Sequence, residues 1–124
     1  MLSSSPEPRL VTETRVRRIH LASSEALSTK GHCVVWAEGN PVLLVEVDGQ
    51  VLALQGTCSH EQYSLEEGWV EGETITCPAH SSRFDLRTGQ VLDPPAHLPL
   101  ARYQVVVEEG HIYLDIEGRL ERNE

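Results

Sequence analysis

Short apolar runs rich in β-branched residues, each bounded by Gly, Asp or Pro, dominate this chain beyond residue 34. Val34–Ala37, Val42–Val47 and Gln50–Gln55 read as strands, because such runs fit a pleated, half-buried surface. Asp48-Gly49 between the last two is a two-residue hairpin signal, since both residues tolerate the left-handed backbone that such a turn requires. Val70, Ile75 and Thr76 suggest one or two short strands broken at Glu71-Gly72-Glu73. Arg83–Leu86 and Gln90–Leu92 flank a Thr88-Gly89 turn. Tyr103–Val107 and His111–Ile116 make a last hairpin around Glu108-Glu109-Gly110. Earlier in the chain, Arg15–His20 reads as a first strand with Val16 and Ile19 as its apolar members. Ser23-Ser24-Glu25-Ala26-Leu27 reads as a capped helical turn closed by Gly31. No helix of three turns and no internal repeat is visible. Residues 1–14 and 118–124 read as tails around a domain at 15–117, and the predicted fold class is all-β, with stacked antiparallel sheets.

Composition narrows the function more than the fold. With 124 residues, 40% apolar and 23% charged, the chain suits one globular domain with a modest core. No apolar run approaches the roughly 18 residues of a membrane span, and the first residues lack a signal-peptide core. A net charge of −9 argues against nucleic acid as a partner. Three cysteines are too few for a disulfide scaffold and suit a reducing cytoplasm. The acid is also uneven. Between Gly31 and Ser82 there is no Lys or Arg, against eight acids: Glu38, Glu46, Asp48, Glu61, Glu66, Glu67, Glu71 and Glu73. Such a window is either a solvated surface or a docking face for basic partners.

Two segments break the hairpin grammar, Thr57–Leu65 and Cys77–Ser82. The first holds Cys58-Ser59-His60 and the second Cys77-Pro78-Ala79-His80, with sixteen residues between His60 and Cys77. Two sulfurs and two imidazoles on paired loops suit zinc or an iron–sulfur cluster. Zinc sites space ligands within a loop by two to four residues, so a single intervening residue is unusual for them. One Cys and one His from each loop suits a two-iron site, with Cys58 and Cys77 on one iron and His60 and His80 on the other.

These residues carry a resemblance. From about Val16 to Ile116 the chain resembles the Rieske-type [2Fe–2S] ferredoxins, especially the small carriers of bacterial aromatic-ring-hydroxylating dioxygenase systems. The shared segments are Val45–Leu54, Cys58-Ser59-His60, Ser64-Leu65-Glu66-Glu67-Gly68, Cys77-Pro78-Ala79-His80, Arg83-Phe84-Asp85, Gly89-Gln90-Val91-Leu92 and the proline-bearing stretch Pro94-Pro95-Ala96. The resemblance implies a Rieske fold with a cluster-binding subdomain at about 56–87, and one [2Fe–2S] cluster held by Cys58, His60, Cys77 and His80. It further implies a third, proline-bearing loop that covers the cluster. The implied role is a cytoplasmic one-electron carrier, not an enzyme, visiting a ferredoxin reductase and a terminal oxygenase through an acidic face near the cluster. It is expected to be a monomer.

The departures from the family pattern also speak. Respiratory Rieske proteins place a disulfide where Tyr63 and Ala79 stand here, which implies membership of the lower-potential branch. Ser81 follows His80, and Glu61-Gln62 follow His60, where glycines are common. Ser82 matches the position of a hydroxyl that tunes the cluster, and Phe84 replaces a second, tyrosine donor. A potential toward the lower end of the Rieske range of roughly −150 to +300 mV follows. Cys33 is expected to be a buried free thiol, Trp36 and Trp69 core residues, and His20, His32, His97 and His111 histidines without a metal role. Two rival readings are the small subunit of an assimilatory nitrite reductase and a zinc-stabilised interaction module.

Overall fold

The computed structural model describes residues 10–60 and 63–123. In chain order come β1 (Leu10–Ser23), α1 (Ser24–Lys30), β2 (His32–Ala37), β3 (Asn40–Val47) and β4 (Gln50–Gln55). A 3₁₀ turn (Leu65–Glu67) then precedes β5 (Trp69–Glu71), β6 (Thr74–Thr76), β7 (Arg83–Asp85) and β8 (Val91–Asp93). Last come β9 (Arg102–Tyr103), β10 (Val105–Glu108) and β11 (His111–Asn123). They form three antiparallel sheets, ordered β1-β11-β10, β2-β3-β4-β9 and β5-β6-β7-β8. The all-β class expected from the pattern is what the chain adopts.

The uninterrupted apolar run of β3 explains the stacking. With a period of two, Leu43, Val45 and Val47 face one core and Val42 and Leu44 the other. A strand buried on both faces has no polar side, so the central sheet lies between two partners. On one face, Leu43, Val45 and Leu54 pack with Leu65, Ile75, Phe84 and Leu86 of the small sheet and its approaches. On the other, Val42, Leu44 and Ala53 meet Leu27, Ile112 and Leu114. The β3–β4 hairpin turns at Asp48 (φ 51°) and Gly49 (φ 76°), with Val47 opposite Gln50. A second turn of the same kind at Glu38-Gly39 joins β2 to β3.

Helix α1 is slightly longer than its capping signal suggested. The Ser23 hydroxyl accepts from the Ala26 amide at 3.1 Å, and the Gly31 amide donates to the Leu27 carbonyl at 2.7 Å. Leu27, fully buried, anchors it.

The expected tails need correction. Strand β1 starts at Leu10 and β11 runs to Asn123, so residues 10–14 and 118–123 are strand rather than tail; residues 1–9 lie outside the described residues. The cause is mutual pairing, from Leu10 opposite Asn123 to Val16 opposite Glu117. Each segment alone has little strand pattern, but together they satisfy a ladder of backbone groups. Trp36 and Trp69 are a second correction. They are 68% and 47% exposed, because both sit on strands at sheet edges, β2 and β5, beyond the rim of the core.

Arg87 ties the small sheet to the body. Its guanidinium reaches Glu73 at 3.2 Å, Asp48 at 3.3 Å and the Gln50 amide oxygen at 2.9 Å, while its carbonyl accepts from Arg102 at 2.8 Å.

Candidate metal centre

Two loops rise at the end of the small sheet, and their backbones dictate where the donors point. The first leaves β4 at Gly56, whose amide donates to the Pro41 carbonyl at 3.0 Å and whose carbonyl accepts from Leu65 at 2.9 Å. A side chain at Gly56 would meet Pro41 at 2.8 Å, so the position has no room for one. Thr57 and Ser64 form a bridge, and the Cys58 amide donates to the Tyr63 carbonyl at 2.9 Å. The second loop is the tip of the β6–β7 hairpin, closed by Cys77 N–H to Ser82 carbonyl (2.8 Å) and Ser81 N–H to Cys77 carbonyl (2.9 Å).

Both cysteines point inward and both histidines outward. Cys58 and Cys77 are 4% and 1% exposed and form one end of the larger core. They are free thiols in contact with one another. Burial pushes the Cys77 thiol above its ordinary value, the Ala79 and His80 amides pull it down, and Cys58 adds to the rise. His60 and His80 are exposed at the tip, their rings 5.4 Å apart and nearly perpendicular at 82°. Among the described residues, no group of three or more His, Cys, Asp or Glu side chains is set to hold a metal ion. The four candidate residues divide instead into a buried cysteine pair and an exposed histidine pair, a division compatible with a two-iron group that takes Cys on one iron and His on the other.

The third loop clasps both donor loops. The Ala96 amide donates to the Ser82 hydroxyl at 3.0 Å, with both residues buried. From the other side, the Ser59 hydroxyl donates to the Leu98 carbonyl. The Leu100 amide donates to the Gly89 carbonyl at 2.8 Å and closes the loop's far end. Ser59 was not singled out by sequence reasoning, because its partner lies 39 residues away and a lone serine between two donors carries no local signal. The Ser82 hydroxyl accepts from Ala96, which leaves its own proton to donate elsewhere. Ser81 adopts φ 64°, the left-handed conformation for which glycine is usual, at a cost of roughly 1 kcal/mol.

The acidic window is more occupied than its composition suggests. Glu38 pairs with Arg17, and Asp48 and Glu73 with Arg87. The Glu46 carboxylate accepts from Ser28 at 3.1 Å, and that of Glu66 from the Val34 amide at 2.9 Å. Glu71 lies within electrostatic reach of Arg83, and Glu61 is outside the described residues. Cys33 is a buried free thiol, as expected. His32 bonds the Glu66 carbonyl at 3.2 Å.

A β-stack carrying a cysteine pair and a histidine pair on adjoining loops defines a class, the iron–sulfur proteins of mixed Cys/His type. Residues 17–104 match the Rieske [2Fe-2S] domain, and the chain belongs to that family, whose cofactor is a [2Fe–2S] cluster. It is similar to the ferredoxin component of biphenyl 2,3-dioxygenase from Rhodococcus jostii (strain RHA1), at 36% identity over 71% of this chain and 83% of that one. The ferredoxin of Sphingomonas yanoikuyae B1 superposes with a TM-score of 0.75 at 27% identity, covering 81% of this chain and 99% of that one. A complex of reduced oxygenase and oxidized ferredoxin in carbazole 1,9a-dioxygenase contains a similar chain, with a TM-score of 0.72 and 30% identity over 78% and 91%. A putative nitrite reductase small subunit is also similar, with a TM-score of 0.66 and 25% identity over 79% and 97%. Among the described residues no helix is long and apolar enough to cross a membrane.

Proposed function

We propose that this chain is a one-electron carrier that takes an electron from a ferredoxin reductase and delivers it to the terminal oxygenase of an aromatic-ring-hydroxylating system. Cys58 and Cys77 hold one iron of the cluster, and His60 and His80 hold the other. The observation that carries this reading is the gradient of exposure across the four donors, a buried thiol pair beneath an exposed imidazole pair. When bound, the cluster supplies a centre that gains or loses one electron without any bond to substrate. The protein does the rest. The apolar core insulates the sulfur side, the third loop shuts out water, and the tip presents the histidines to a partner. Relatives named as ferredoxin components of dioxygenases support the acceptor class.

The carrier works in the cytoplasm as a monomer, since it must present the same tip to two partners in turn. Its docking face is narrower than the whole acidic window, because most of those carboxylates are engaged within the chain. Glu67 remains as an exposed acidic group between the two donor loops, and Glu71, within reach of Arg83, adds to it. A nitrite reductase subunit is the weaker reading, because the full two-Cys, two-His set suits a working redox centre. A zinc module would ask the four donors to meet at a single ion.

The test is an absorption and EPR spectrum of the purified chain before and after dithionite, followed by turnover with a reductase and an aromatic-ring oxygenase. A red-brown oxidised form, a rhombic S = 1/2 signal on reduction, and oxygenase turnover that depends on the chain are the expected results. A zinc-loaded, EPR-silent protein would sink the carrier reading.

Ser82 tunes the cluster through its hydroxyl proton. Ser82→Ala is expected to lower the reduction potential, because a donor near the cluster favours the more negative, reduced form. Protein-film voltammetry checks this, and an unchanged potential would assign Ser82 to loop closure alone.

A further inference from the structure

His20 and His111 were expected to have no metal role, yet the fold pairs them. His20 Nε2 lies 3.0 Å from His111 Nδ1, with ring centroids 5.0 Å apart. Cross-strand pairing brings this about, with a register shift following between His20 and Ala22. His20 stands opposite Tyr113, while Ser23 already stands opposite His111. Residues at positions 111 and 113 share a face of β11, so His20 has both rings as same-face neighbours. The Tyr113 ring packs edge-on to His20 at 5.5 Å. This sheet carries none of the cluster-loop donors.

We infer that His20 and His111 form a second, mononuclear metal site that takes a divalent ion of the zinc, nickel or copper class and staples β1 to β11. The spacing supports it. Imidazole nitrogens bind such ions at about 2.0–2.1 Å, so two of them on one ion at roughly 90–110° stand roughly 2.9–3.4 Å apart. The pair already holds that separation, and a modest rotation of the rings turns both nitrogens toward a common ion. Imidazole donors suit these metals over magnesium or calcium. The charges around the pair also favour a cation. Arg18 is the facing base, against the carboxylates of Glu108 and Asp115, both paired with it at 2.9 Å. Arg18 also lies over the Tyr113 ring at 5.7 Å. No third His, Cys, Asp or Glu among the described residues completes a group, so water fills the remaining positions and the ion exchanges freely. Binding to the folded state alone stabilises it by mass action, and the strands linked here pair the two ends of the described chain.

The test uses the cluster-loaded protein, with Zn²⁺ and then Ni²⁺ titrated by calorimetry while the cluster's visible absorption is followed. One saturable ion per chain is expected, with a melting temperature that rises with metal concentration and an unchanged cluster spectrum. Binding should weaken as pH falls, because protons compete for the nitrogens. His20→Asn and His111→Asn should each abolish the saturable phase and the melting shift; His20→Gln and His111→Gln are the alternatives if an asparagine variant folds poorly. Equal binding in the variants, or an ion taken up only with loss of cluster absorption, would overturn the site and leave the two histidines as a hydrogen-bonded pair.

Discussion

Cys77→Ala is expected to fold and yet carry almost no cluster, with iron and acid-labile sulfide falling from a full complement to near zero. The argument rests on what the side chain can and cannot be doing. Cys77 is 1% exposed in the larger core, and a thiol there contributes packing of the order of one small apolar group, so truncation costs the fold only about 1 kcal/mol. Its second role, under the proposed function, is as a ligand. A thiolate is a soft, charged donor that alanine cannot replace, and one missing ligand opens an iron to solvent and to loss. Cys58→Ala should behave in the same way. Cys33→Ala is the control, since Cys33 is also a buried free thiol but packs in the second core. It should leave iron and sulfide untouched. Full iron and sulfide in Cys77→Ala, measured by chemical assay beside absorption, would remove Cys77 from the ligand set.

How legible was this molecule from its residues? The family was readable because metal-binding chemistry restricts residue type and spacing at once, and Cys-x-His with Cys-x₂-His meets both restrictions. The hairpin at Asp48-Gly49 was readable because a two-residue turn with positive φ admits few residues. The terminal ladder was not, because pairing between residues such as Val16 and Glu117 leaves no trace in either segment's own pattern. The exposure of Trp36 was missed for a related reason. Residue type says that tryptophan favours a core, but position on an edge strand decides otherwise. Composition also left the acidic window undivided, because it counts carboxylates without showing that Arg17 and Arg87 arrive from elsewhere. Contacts distant in sequence also hid the Ser59–Leu98 and Ser82–Ala96 hydrogen bonds. The candidate ligands are a local pattern; the third loop was expected only through the resemblance, and the clasp it makes through hydrogen bonds to Ser59 and Ser82 leaves no local signal.

That clasp depends on a glycine outside all three loops, and Gly89→Ala should lose roughly 2–4 kcal/mol of stability, toward the upper end for a single substitution. Two costs combine. Gly89 sits at φ 81°, which charges any other L-residue about 1 kcal/mol. Its missing side chain also leaves space for backbone, since a Cβ there would stand 2.3 Å from the Leu100 carbonyl oxygen. Backbone cannot rotate away as a side chain can, and neither party is free to move. The Gly89 amide donates to the Asp85 carbonyl at 2.7 Å, and its carbonyl accepts from Leu100 at 2.8 Å. The Asp85 carboxylate fixes the same turn, accepting from Arg87 at 2.8 Å and Thr88 at 2.9 Å. These amide donors, Thr88's first, hold its carboxyl below the ordinary carboxylate range. The relief left is withdrawal of Leu100, which takes the far end of the third loop with it and loosens the cover on the donors. Gly49→Ala separates the two costs, because Gly49 has φ 76° and an added methyl there would meet nothing within 4 Å. It should lose only the conformational part, about 1 kcal/mol, and keep its cluster as well as the parent chain does. Gly89→Ala should also bleach faster in a chelator. Urea unfolding and chelator-driven bleaching of the two variants side by side measure the difference. Equal losses would mean that Leu100 yields freely and that the third loop is not anchored at Gly89.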